Sequence, residues 1–314
     1  MPSPTSLTYD DIKTARDRIA GHVRRAAVLP YAEHVSVALE FTQYTGSFKA
    51  RGAWNFVAAH REAGTLPAAG VTIASGGNAG LACAWAARGA GVPATVFLPQ
   101  NAPRVKVDRL AEHGARVRLV GREYAEAAAS CADFAADAGA LLSHAYDDAL
   151  IAAGAGTLLD EVLEQVPGLD TLVVAVGGGG LFAGVATAAH HHGIRAVGVE
   201  PTHCAALSEA VRAGEVVDVV PDSVAADSLG ARRAAELALT AAQHPLSTLL
   251  TVPDEAIIRT RRDLWDHHRL AVEHAAATAL SPLTTGAYAP APGERVAIIL
   301  CGANTDPATL SDNR

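Results

Sequence analysis

Short, unbroken apolar runs recur along the chain, separated by longer alanine-rich stretches. Six of them read as strands: VTIAS from Val71, ATVFLP from Ala94, ARVRLV from Ala115, TLVVAV from Thr171, RAVGVE from Arg195 and RVAIIL from Arg295. Runs that are apolar throughout, rather than alternating, suit strands buried on both faces of a parallel sheet. Their alternation with helical stretches predicts an α/β fold with right-handed crossovers and helices on both faces. Ligands in such folds bind at the carboxyl ends of strands. Three glycine-rich or polar turns fall there: SGGNAG from Ser75, GGGGL from Gly177 and CGAN from Cys301. Their placement points to one shared site.

No linker, low-complexity tract or repeat divides the 314 residues. Residues 71–142 read as a smaller αβ lobe, with 1–70 and 143–314 forming a larger one, and the tail after Asp306 reads as short and loose. The hydrophobic fraction of 50% and charged fraction of 18% are those of a compact globular chain. A net charge of −8 argues against nucleic-acid binding, so an anionic ligand must be held by loops and helix ends. The N-terminus lacks the basic start and apolar core of a signal peptide, and no run approaches the roughly 20 apolar residues of a spanning helix. Cys83, Cys131, Cys204 and Cys301 show no paired spacing and are expected to be reduced thiols. A soluble, cytoplasmic protein is the expectation.

Candidate chemistry begins at Lys49, one lysine in the charge-poor segment EFTQYTGSFKARGAWNF. Gly46 and Ser47 allow a tight turn, and Phe48 and Trp54 supply apolar bulk. Burial disfavours an ammonium, which makes such a lysine a usable nucleophile or base. In GGGGL, four glycines let main-chain amides approach an anion, and the following helix N-terminus completes a phosphate cradle without a basic side chain. SGGNAG offers a serine hydroxyl and amides at a helix start, suited to a carboxylate. Cys301 offers a weak, neutral hydrogen bond.

Together these segments resemble the fold-type-II pyridoxal-phosphate enzymes, within them the serine/threonine dehydratase and serine racemase group. The likeness runs from about Asp11 to Asn304, with TGSFKARGA, SGGNAG, GGGGL and CGAN in the family's order. It implies a two-lobed, tryptophan synthase β-like architecture of open, mostly parallel sheets. It also implies a homodimer acting on a small amino acid. By resemblance Lys49 carries pyridoxal 5'-phosphate as a Schiff base, and Phe48 packs beside the ring. Gly177, Gly178, Gly179, Gly180 and Leu181 hold its phosphate, Asn78 bonds its ring hydroxyl, and Cys301 faces its pyridine nitrogen. Ser75, Gly76, Gly77, Asn78 and Ala79 take the substrate carboxylate, with Lys49 and Ser75 as the catalytic candidates.

The sequence departs from the family pattern at several of these positions. Ala79 replaces a histidine, Ala303 a glycine, and Gly76 the serine with which racemases reprotonate the opposite face. The last departure favours elimination over racemisation. Asp227 in AADSLG and Glu273 in AVEHAAATAL resemble substrate-pocket carboxylates, although Ser228 and His274 replace the glycine and proline beside them. Glu200 in VGVEP resembles a ligand of a structural divalent cation, Mg or Ca, but Ala206 stands where a second carboxylate is expected. His190–His192 and His267–His268 point in different directions around a helix and make poor metal cages. The implied activity is α,β-elimination of water from L-threonine or L-serine, giving a 2-oxo acid and ammonia. Alternatives are hydroxyaspartate dehydration, racemisation, β-replacement or threonine synthesis on the same fold, or a non-catalytic ligand-binding protein.

Overall fold

The structure, a computed structural model, describes residues 6–310. Among the described residues ten strands form two sheets: β1 (Val28–Ala32), β2 (Val35–Ala38), β3 (Val71–Ala74), β4 (Ala94–Leu98), β5 (Arg116–Leu119), β6 (Leu141–Leu142), β7 (Thr171–Ala175), β8 (Arg195–Pro201), β9 (Ser247–Val252) and β10 (Val296–Ile299). One sheet has the order β1-β2-β10-β7-β8-β9 and the other β5-β4-β3-β6. Every pairing is parallel except β1 with β2. The fold is therefore the mostly parallel α/β architecture expected, with all six anticipated strands present.

Burial explains which strands show in the sequence. β7 and β10 are buried at every position, as continuous apolar runs must be when helices cover both faces. β1 and β9 lie at the edges of their sheet with exposed positions along them, and β6 is only two residues long, so none leaves an apolar run. Pro30 is tolerated in β1 because that strand has a neighbour on one side only.

The largest apolar cluster joins the six-stranded sheet to its helices. A second cluster joins β3 and β4 to helix Asn78–Gly89 and to Trp54, Phe56 and Val57 of helix Lys49–Glu62. The helix that begins at Lys49 packs on helices Asn78–Gly89 and Ala149–Gly156 and shares the apolar cluster of the four-stranded sheet, while the loop before it is tied to β10. The tail differs from expectation: Pro307–Leu310 form a 3-10 turn with Leu310 buried and Thr309 bonded to Arg261, and 311–314 lie outside the described residues. All four cysteines are buried and free. Among the described residues no helix is long and apolar enough to cross a membrane.

Candidate active site

The carboxyl ends of β10, β7 and β3 carry the three turns singled out in the sequence. Lys49 reaches them because its segment is pinned to β10. Ser47 forms an isolated antiparallel bridge with Gly302, and Phe48 donates its amide to the Cys301 carbonyl at 3.0 Å. Two residues into the helix, Arg51 is wholly buried and bonds both oxygens of Glu40, at 2.6 and 3.1 Å, and of Glu161, each at 2.8 Å. Asn55 adds a bond to the Leu150 carbonyl at 2.7 Å. These contacts fix the helix start and with it the lysine.

The Lys49 amine donates to the Ala145 carbonyl at 2.6 Å and lies 4.8 Å from the centre of the Phe48 ring. Burial pulls its ammonium down to about 8, against the opposing pull of Cys301 and Glu273. Next to Ala145, Tyr146 lies against the tetraglycine turn, and a Cβ on Gly178 would come within 2.4 Å of its ring. Gly179 has φ of 91° and caps helix Gly180–His191, a conformation that other residues rarely adopt. The first amides of that helix have no intrahelical acceptor. Adjacent residues, Ala145 and Tyr146, therefore tie the amine to the turn.

On the opposite side, Gly77 caps helix Asn78–Gly89 and donates to Ser75 Oγ at 3.4 Å. Asn78 donates to both oxygens of Glu273, at 2.9 and 3.1 Å, and accepts from Asn304 Nδ2 at 2.7 Å. Ser228 Oγ donates to Glu273 at 2.5 Å, and the Asn304 amide does so at 2.8 Å. Ala79 is buried behind the loop. Cys301 is buried, which pushes its thiol up and keeps it neutral. Lys49 thus lies beside the glycine turn through Ala145 and Tyr146, and within electrostatic reach of Cys301 and of Glu273, the partner of Asn78.

The remaining sequence candidates fall elsewhere or do other work. Asp227 is exposed and ion-paired with Lys106 of helix Arg104–Glu112, whose stem lies 3.7 Å from where a Cβ on Gly76 would be. Glu200 is buried and accepts from the amides of Leu207 and Ser208 and from Ser208 Oγ, capping helix Ala206–Ala213. His190 stacks on His244, and His191 on Tyr9, while His192 approaches Asp160. Among the described residues no group of three or more His, Cys, Asp or Glu could hold a metal. Sequence reasoning did not anticipate Ala145, Tyr146 or the Arg51 partners; an arginine two positions after the lysine was the available signal for the last.

These groups fit pyridoxal phosphate: a half-buried, desolvated amine for the aldehyde, a main-chain turn at a helix start for the phosphate, and a neutral thiol within electrostatic reach of the amine. A family model described as "Pyridoxal-phosphate dependent enzyme" matches residues 24–302. An L-threonine ammonia-lyase of Geobacter sulfurreducens is 34% identical over 97% of this chain and 77% of its own. A phenylserine dehydratase of Ralstonia pickettii is 34% identical over 88% of this chain and 85% of its own. Among solved structures, maize serine racemase superposes with a TM-score of 0.90 at 28% identity, covering 97% of this chain and 95% of that one.

Proposed function

Since this chain belongs to the pyridoxal-phosphate dependent enzymes, as a lyase of their dehydratase type, we propose that Lys49 bears the cofactor and serves as the base in removing water from a small β-hydroxy amino acid. L-Threonine and L-serine are the proposed substrates. The observation that carries this is the Lys49 amine: half-buried, directed to the Ala145 carbonyl at 2.6 Å, and one residue from the contact with the glycine turn.

When bound, pyridoxal phosphate supplies an electron sink for the charge left on Cα. The amides of Gly177–Leu181 would hold its phosphate, and Asn78 and Cys301 would contact its ring. The loop from Ser75 to Ala79 takes the substrate carboxylate through its amides and the Ser75 hydroxyl. Lys49, its ammonium pulled down to about 8 by burial, removes the α-proton. Loss of that proton and of the β-hydroxyl, as water, leaves an enamine that hydrolyses to a 2-oxo acid and ammonia. Glu200, already satisfied by three donors, is assigned to capping its helix rather than to a divalent cation.

Borohydride reduction of the holoenzyme followed by peptide mapping tests the reading, together with Lys49→Ala. We expect the reduced cofactor on the Lys49 peptide, and no trapping or turnover in the variant. Serine and threonine, assayed for 2-oxo acid with a divalent metal or a chelator, give equal rates in both arms. Turnover by Lys49→Ala at the wild-type rate, or trapping on another lysine, refutes the assignment.

A further inference from the structure

Glu273 looks in the sequence like a carboxylate for the substrate, but the protein itself bonds both of its oxygens. Oε1 accepts from Asn78 Nδ2 at 2.9 Å and from the Asn304 amide at 2.8 Å. Oε2 accepts from Asn78 Nδ2 at 3.1 Å and from Ser228 Oγ at 2.5 Å. Three donors thus engage both oxygens of the carboxylate: Asn78 Nδ2 spans the two, the Asn304 amide adds to Oε1 and Ser228 Oγ to Oε2. Glu273 is only 5% exposed, so an unmet oxygen would be costly and the bonds are the charge-assisted kind.

The same network fixes Asn78 from its other end. Asn304 Nδ2 donates to Asn78 Oδ1 at 2.7 Å and to the Thr45 carbonyl at 2.6 Å. Exchanging the Asn78 oxygen and nitrogen would set an oxygen against the Glu273 carboxylate, so the amide has one allowed orientation. Asn78 opens its helix directly after Ser75, Gly76 and Gly77. The carboxylate loop is thereby tied to the end of β10 and to the short helix Ala226–Leu229 that carries Ser228.

Resting on the site proposed above, we infer that Glu273 is an anchor that aligns the substrate-carboxylate loop through Asn78, not an acid acting on the substrate. Ser228 is the positioning residue that completes it. Ser228 itself is exposed, so its hydroxyl can be removed with little threat to folding, whereas Glu273 is in the interior.

The test compares Ser228→Ala, Ser228→Thr and Glu273→Gln holoenzymes in two measurements. One is the dissociation constant of L-alanine, which lacks a leaving group, read from the cofactor spectrum. The other is kcat and KM for the β-hydroxy substrate. Loss of one charge-assisted bond predicts that Ser228→Ala weakens L-alanine and raises KM about tenfold, equivalent to roughly 1.4 kcal/mol. A loop-aligning role leaves kcat within about twofold, since binding rather than the chemical step is affected. Ser228→Thr, which keeps the hydroxyl, restores both values, and Glu273→Gln shifts them further in the same direction. Unchanged L-alanine binding and KM in Ser228→Ala overturn the inference, as does a Glu273→Gln variant that loses kcat while binding L-alanine normally. Absence of cofactor on Lys49 in the reduced wild-type enzyme would instead overturn the site on which it rests.

Discussion

Arg51→Met removes the guanidinium that holds the start of the lysine helix while keeping much of its volume. Arg51 and Glu40 are both inaccessible to solvent, and the arginine makes four bonds of 2.6–3.1 Å to Glu40 and Glu161. Removing one partner of a buried pair leaves the other's charge uncompensated and costs about 3–5 kcal/mol. At about 2–4 °C per kcal/mol for a large domain, melting falls by roughly 10 °C.

The loss also depends on pH. Burial pushes the Glu40 carboxyl up from 4.5, and Arg51 is the largest influence drawing it back. Without Arg51 the carboxyl rises further. A folded value above the unfolded one gives stability that is full below the unfolded value and lost as pH rises through the folded one. The variant's deficit is therefore smaller at pH 5.5 than at pH 8. Urea unfolding of both proteins at the two pH values, followed by circular dichroism, measures it. A deficit below about 1 kcal/mol, the range of an exposed pair, or one that grows on acidification, would refute the reasoning.

Two further outcomes follow from other sites. Gly178→Ala drives a Cβ to 2.4 Å from the Tyr146 ring, so pyridoxal phosphate binding should weaken at least about tenfold by fluorescence titration; unchanged affinity would show that the turn's position is not set by this contact. His190 and His274 are each pulled down to about 4, mainly by burial and then by His244 and Arg261 respectively. The stability they give is full above the unfolded value of 6.5 and lost as pH falls toward 4. A His190→Gln, His274→Gln double variant should accordingly lose less stability than the parent between pH 7 and 4.5 in urea titrations; parallel pH profiles would count against it.

The sequence by itself determined the strands buried on both faces, because covering both sides of β7, β8 and β10 demands apolar residues at successive positions. It also marked the three turns, since glycines and small polar residues concentrate where backbone must bend sharply or approach a ligand. Edge strands such as β1 and β9 keep solvent-facing positions and stay hidden. What only the tertiary structure decided is partnership. Asn78 and Glu273 are 195 residues apart, and Lys49 and Ala145 are 96 apart. Local patterning shows that a carboxylate or an amine is present, but its protonation and its free acceptor positions depend on which distant groups the fold brings to it. For that reason Glu273 looks in the sequence like a substrate contact, while in the folded chain its oxygens are bonded by Asn78, Ser228 and Asn304.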